Sequence, residues 1–261
     1  MQAIGDYMQL VKVILGESAK YFVCLLFVIL AMRLWRRLPK LSGPNKQQTL
    51  LLAGLVSAAA CGVGYLAIAH SLGLLYSGYG MRAFRSGKIL SAASLFQTSV
   101  RHWKTADALG EEGTCLLLME EVEKGRRLLD QAKALRKGKS NAFEQHYEGL
   151  FYFFHEQPDR AYPLLEASSY ELIYRWDAIK LLCVILVEKN QVTDATQFMA
   201  PFAQVEVKEC DHAYVLAWLK LVDGKKLEAR ALLDQFPSDK LAEFWKPRFQ
   251  KLRAKTQTLA S

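Results

Sequence analysis

Along the last two thirds of this chain small residues return in one register: Ala92, Gly125, Ala161, Ala195 and Ala229 are separated by 33, 36, 34 and 34 positions. Twelve residues before each stands another mostly small one, Gly80, Gly113, Gly149, Cys183 and Ala217. Four residues after each stands a large apolar one, Phe96, Leu129, Leu165, Met199 and Leu233. Between them the apolar pattern is helical, with breaks at Ser86-Gly87, Lys137-Gly138, Gln157-Pro158, Asn190-Gln191, Asp223-Gly224 and Phe236-Pro237. A period of this length dictates stacked helical pairs, because one such unit cannot bury its own apolar face and must pass it to a neighbour.

The spacing has a packing logic. Two helices whose small residues face each other at the crossing point can bring their backbones together, and the large residue after the second is expected to fill the gap to the next unit. The turn between them needs Gly, Asn or another polar residue. Gly87, Asn190 and Gly224 supply it, while Glu120 and Glu156 are less usual there. This period and these residue classes resemble the tetratricopeptide repeat, a helix-turn-helix of about 34 residues. The resemblance covers Tyr76 to Gln235, five repeats, and a solvating helix is expected near Ser238 to Lys255. Three departures stand out: no repeat ends in the usual Pro, Lys220 occupies a commonly apolar site, and the spacer between the second and third repeats is two residues longer.

In that family the first helix of each repeat lines a groove that holds a protein segment. Carried over, the resemblance implies a largely apolar groove with Phe84, Phe153, Tyr214 and Trp218 as anchors and His146 and Lys180 beside them. Aromatic anchors suit an apolar peptide or helix. The family's clamp for a chain-terminal carboxylate needs Lys and Asn in successive repeats, and Lys180 alone fits. A groove closed by a tight superhelix, or filled by the membrane helices, is the competing expectation.

The first third reads differently. The 35 residues between Lys46 and Arg82 contain no Lys, Arg, Asp or Glu, and about 20 apolar helical residues suffice to cross a bilayer. A span is expected over about 50–76. Tyr21 to Met32 is a shorter apolar run which, with Val13 to Leu15 and with Lys20, Arg33 and Arg36 reaching to the interface, makes a first span over about 13–35. Gly54, Ala58 and Gly62 form a small-residue stripe on which a second helix, most simply the chain's own first, is expected to pack. Of the net charge of +8, residues 1–79 hold +5 and the rest +3, so the basic excess lies beside apolar segments and favours a membrane over nucleic acid. Arg33, Arg36, Arg37, Lys40 and Lys46 in the hairpin loop lean towards a cytoplasmic loop, with the repeats on the other side. The odd, pattern-free set Cys115, Cys183 and Cys210 pulls the opposite way.

The expected architecture is therefore all-α: a two-helix transmembrane hairpin over 1–79, a tetratricopeptide-like solenoid over 76–236, and a capping helix and tail over 237–261. The sequence has no Gly-rich phosphate loop, HExxH, paired CxxC or GxSxG. Cys210-Asp211-His212 offers too few ligands for a metal. No enzyme activity, cofactor, metal or small-molecule substrate is expected. The basic cluster Lys124, Arg126, Arg127, Lys133, Arg136, Lys137 and Lys139 reads as a solvated face, with anionic lipid or an acidic partner as the functional alternative. The layout of two spans followed by such repeats is similar to that of bacterial inner-membrane subunits for envelope assembly. These include the repeat subunit of Pel exopolysaccharide synthase complexes and factors for cytochrome c maturation. The resemblance implies an adaptor for protein subunits of a membrane complex; a self-associating structural subunit is the alternative.

Overall fold

The computed structural model describes residues 21–40, 42–202 and 204–257. All regular structure among them is helical, and the chain divides into two compact units, Met1–Leu109 and Gly110–Ser261.

In the first unit, α1, described over residues 21–37, precedes α2 (Pro44–Arg85) and α3 (Ile89–His102). Pro44 starts α2 at a position where its missing N–H costs nothing. From there the helix continues for 42 residues without a break. Its two halves do different work. Up to about residue 69 it points Leu50, Leu51, Leu52, Leu55, Tyr65, Leu66 and Ile68 outward. From His70 onward it carries α3. Ser99 donates a buried hydrogen bond of 2.7 Å to the Gly73 carbonyl, and a Cβ at Gly73 or Gly80 would strike Trp103 or the Phe96 ring within 3 Å.

Among the described residues one helix, α2, is long and apolar enough to cross a membrane, instead of the expected two. The expected first span begins at about residue 13, and its part before Tyr21 lies outside the described residues. The remainder, α1, runs antiparallel to α2, with Trp35 donating to Ser57 at 3.1 Å, Cys24 beside Ala60 and Tyr21 bonded to Ser71. The packing face is not the predicted stripe. Ala53, Ala60 and Ala67 are buried, and Gly64 faces the Cys24 sulfur. Gly54, Ala58 and Gly62 are exposed, and nothing lies within 4 Å of where a Cβ would stand at Gly54 or Gly62. The stripe and the contact face differ by about one residue, or roughly 100° of helix rotation.

The second unit opens within α4 (Ala106–Leu118) and continues through α5 (Val122–Leu135), α6 (Ala142–Phe154), α7 (Pro158–Ser168), α8 (Arg175–Glu188), α9 (Val192–Met199), α10 (Cys210–Val222), α11 (Lys226–Asp234) and α12 (Lys246–Gln257). The small positions are crossing points: a Cβ on Gly113 would lie 2.9 Å from the Gly125 carbonyl, and one on Gly125 would lie 2.8 Å from the Gly113 carbonyl. Cys183 fits the same slot, with its Sγ 3.6 Å from the Ala195 carbonyl. The large positions differ from expectation. Leu129 and Leu165 fold back onto Gly113 and Gly149 of their own repeats, as Phe96 does onto Gly80 in the first unit. Each pair is thus locked by a side chain seated in the hollow that the missing Cβ leaves.

All five turns inside the pairs are built alike. Gly87, Glu120, Glu156, Asn190 and Gly224 each adopt a positive φ, five residues before the small position. The next residue's N–H returns to the carbonyl five positions back, as in Lys88 to Ala83, Glu121 to Leu116 and Gln191 to Leu186. This is the Schellman ending, in which a left-handed residue satisfies the last carbonyls. The long spacer after α5 is held by an ion pair: Glu144, fully buried, accepts both oxygens' bonds from Arg136 at 2.7 and 2.9 Å. It also closes a capping box with Asn141. Much of the basic cluster of the second repeat is spent this way, with Lys133 on Glu148 and Lys124 on Glu121.

Two substitutions test this account in thermal or urea unfolding of the full chain. Gly113→Val drives a side chain into the Gly125 carbonyl and is expected to cost about 2–3 kcal/mol. Glu120→Gly relieves a left-handed glutamate and is expected to add about 1 kcal/mol.

Candidate functional site

The first helices α6, α8 and α10 carry most of the residues expected to line a groove, and the structure shows that face covered. Phe84 in the first unit and Phe153, Tyr214, His146 and Lys180 in the second are 6%, 3%, 2%, 3% and 2% exposed, and only Trp218 is partly open. Over Phe153 and Tyr214 the cover is the chain's own C-terminal segment, while His146 lies against Tyr174 and Lys180 against Trp176 and its acids. Phe244 packs on Phe153 and Phe154 with ring centres 5.2 and 5.0 Å apart. Trp245 lies between Phe153 and Tyr214, and the fully buried Phe249 meets Tyr214 and Phe236. Arg248 reaches Glu188 at 2.9 Å and Glu156 at 3.6 Å, while stacking on Phe244 at 3.9 Å. Tyr214 donates to the same Glu188 at 3.2 Å.

So α12 is more than a solvating cap. Arg253 pins it in place by donating to the carbonyls of Leu233 and Phe236 and to Ser238, at 2.7–2.8 Å. Ten consecutive residues of α8, Ala178 to Val187, are buried by packing on α7, α9 and α10, and Arg248 of α12 reaches the end of the helix at Glu188. The sequence carried this signal, since Ala178–Val187 is apolar on every side except at Lys180, and a helix apolar all round is a buried one.

Lys180 does not offer itself to a partner's carboxylate. Its ammonium is held by Asp177 at 3.1 Å, Asp211 at 3.4 Å and Glu209, and it sits 5.2 Å from the Trp176 ring centre. Asp211 is thereby committed, and its neighbour His212 is buried edge-on to Trp176 at 4.9 Å. Among the described residues no three His, Cys, Asp or Glu are placed to hold a metal ion. Burial pushes the Cys115 and Cys183 thiols up to about 12, so both stay protonated and act as small apolar residues. His146 stacks on Tyr174 at 4.7 Å and edges onto Tyr147. Burial draws it down to about 4, only partly offset by Asp177.

Two open clefts lie at the seam between α10 and α12, on either side of Trp218. One cleft, of about 310 Å³, is bordered by Glu156, Glu188, Tyr214, Pro247, Arg248 and Lys251. The other, of about 270 Å³, has Leu221, Val222 and Leu252 as its apolar wall, with Asn190, Lys226 and Lys255 around it. The Lys255 ammonium stands 4.0 Å over the Trp218 ring.

Comparison with known proteins agrees with this architecture. No family model matches the sequence, and no curated protein matches it. The chain is similar in structure to PilF of Pseudomonas aeruginosa, solved in work on that protein's functional characterization. The TM-score is 0.52 at 15% identity, over 72% of this chain and 90% of that one. PilF contains tetratricopeptide repeats, and the likeness supports a tetratricopeptide-like helical repeat fold.

The depressed His146 gives a signed prediction. The unfolded chain takes up this proton near the ordinary histidine value of 6.5 and the folded chain only at about 4. Its contribution is therefore present above pH 6.5 and is lost as pH falls towards 4, up to about 3 kcal/mol. Thermal melts between pH 7 and 4 are expected to show a steeper fall for the native chain than for His146→Phe.

Proposed function

We propose that this chain is a membrane-anchored adaptor, in which tetratricopeptide-like repeats present a protein-binding surface beside a bilayer. The observation that carries the reading is the continuity of α2. Its first half exposes Leu, Ile and Tyr side chains fit for lipid, and its second half is, without any linker, a repeat helix packed on α3. A chain built this way has its first repeat bound to the membrane by a rigid rod. Repeat surfaces of this kind serve interaction with other proteins.

The finer reading is a two-pass subunit of the bacterial inner membrane, with α1 as the rest of the first span. The basic loop between the helices is cytoplasmic and the repeats lie on the other side. The partners are subunits of an envelope complex, with exopolysaccharide synthesis and export ahead of cytochrome c maturation on layout. Self-association is the second reading, and it is favoured by one observation: Gly54, Ala58 and Gly62 lie bare on α2 while a different face holds α1.

Alkaline extraction and photo-crosslinking of the full chain in native membranes test the adaptor. It is expected to resist extraction and to capture a defined heterologous protein through its repeats. Release from the membrane, or capture of copies of itself alone, would sink the reading. In the second case Leu at Gly54, Ala58 and Gly62 should abolish the self-crosslink.

A further inference from the structure

The groove being filled, the question is where a protein segment can still dock. Trp218 is the one expected anchor that keeps an accessible flank, and both open clefts of the second unit share it. Their borders differ in charge. In the larger cleft the two acids are already engaged, Glu188 by Arg248 and Tyr214 and Glu156 by Arg248. In the smaller cleft there is no acid at all: Trp218, Leu221, Val222 and Leu252 form the wall, and Lys226 and Lys255 stand at its edge. Lys251 and Lys255 are exposed, one on each cleft. Among the described residues neither has an acid within ion-pair distance, and each shares a cleft with Trp218.

Two lysines left without acids beside an indole are a poor arrangement for stability and a good one for recognition. An ammonium already resting on the Trp218 face can swing aside at little cost, since an exposed cation–π contact is weak. The indole flank it uncovers is a large apolar surface with positive charge on both sides. Such a surface favours an apolar side chain and disfavours a basic neighbour to it.

We infer that the α10–α12 seam around Trp218 docks an acidic protein segment carrying a single large apolar anchor. The anchor enters the 270 Å³ cleft between Trp218, Val222 and Leu252, and flanking carboxylates pair with Lys251 and Lys255. The inference rests on the adaptor reading and names the chemistry of the partner at one place on it. The closed face of α6, α8 and α10 takes no part, because Phe244, Trp245 and Phe249 occupy it.

The test uses the full chain in detergent or nanodiscs and a fluorescent peptide library with one central Leu, Phe or Trp flanked by acidic, neutral or basic residues. Acidic members are expected to bind best, and binding should weaken with salt. Lys251→Glu with Lys255→Glu, both on exposed sites, should weaken it by about tenfold or more while leaving helicity intact. Trp218→Ser should abolish it, and Lys251→Arg with Lys255→Arg should retain it. Equal binding of neutral or basic peptides, no binding by any, or indifference to the charge reversal would overturn the proposal. Crosslinking in native membranes separates it from the adaptor reading. A partner captured equally by the native chain and by the charge-reversed chain refutes this site alone, whereas no partner captured by the native chain refutes the adaptor as well.

Discussion

Everything else in this fold depends on how closely two backbones can cross. At Gly113 and Gly125 each glycine leaves room for the other's carbonyl, and at Gly80 and Gly149 the missing side chain makes the hollow that Phe96 or Leu165 fills. A methyl group at such a place would push the helices apart, and the displacement would pass to every later pair, because stacked repeats derive their stability from their neighbours. The left-handed turn residues follow from the same constraint. To bring the second helix back within touching distance the chain must reverse in two or three residues, and it does so even where glutamate must take the positive φ.

A stack of pairs leaves one face uncovered at each end and another along its groove. Here one segment covers both in the second unit. The stretch from Leu241 to Leu252 packs on Phe236 and on the first helices through Phe244, Trp245 and Phe249, and it buries Leu241, Trp245, Phe249 and Leu252. Packing three aromatic rings where a ligand would be expected closes the groove of the second unit. The charged pairs in this region belong to that closure: Arg248 satisfies Glu188 and Glu156, and the acids around Lys180 neutralise a cation that α8 has carried into the interior.

The repeat architecture was legible because it rests on residue size at fixed spacing, and size is written directly in the sequence. The turn at Gly87, Asn190 and Gly224 was legible for the same reason. What spacing could not convey was direction. It placed Leu129 and Leu165 at the right depth but towards the next repeat, when they turn back to their own. It found small residues on α2 but chose the face holding Gly54, when Ala53, Ala60 and Ala67 make the contact. The groove residues were assigned by analogy with repeats whose groove is open, and spacing could not show that Phe244, Trp245 and Phe249 fold over Phe153 and Tyr214, or that Tyr174 and the acids around Lys180 enclose His146 and Lys180. The clue available was local: a first helix such as Ala178–Val187 with no polar face implies something on every side of it.

The unbroken α2 has a mechanical meaning. At 1.5 Å per residue its 42 residues extend about 63 Å, roughly twice the thickness of a hydrocarbon core. The helix continues unbroken through Gly62, Gly73, Gly78 and Gly80, so it transmits torque as well as position. A roll or tilt of its exposed apolar half is carried along the same element to the half that packs on α3.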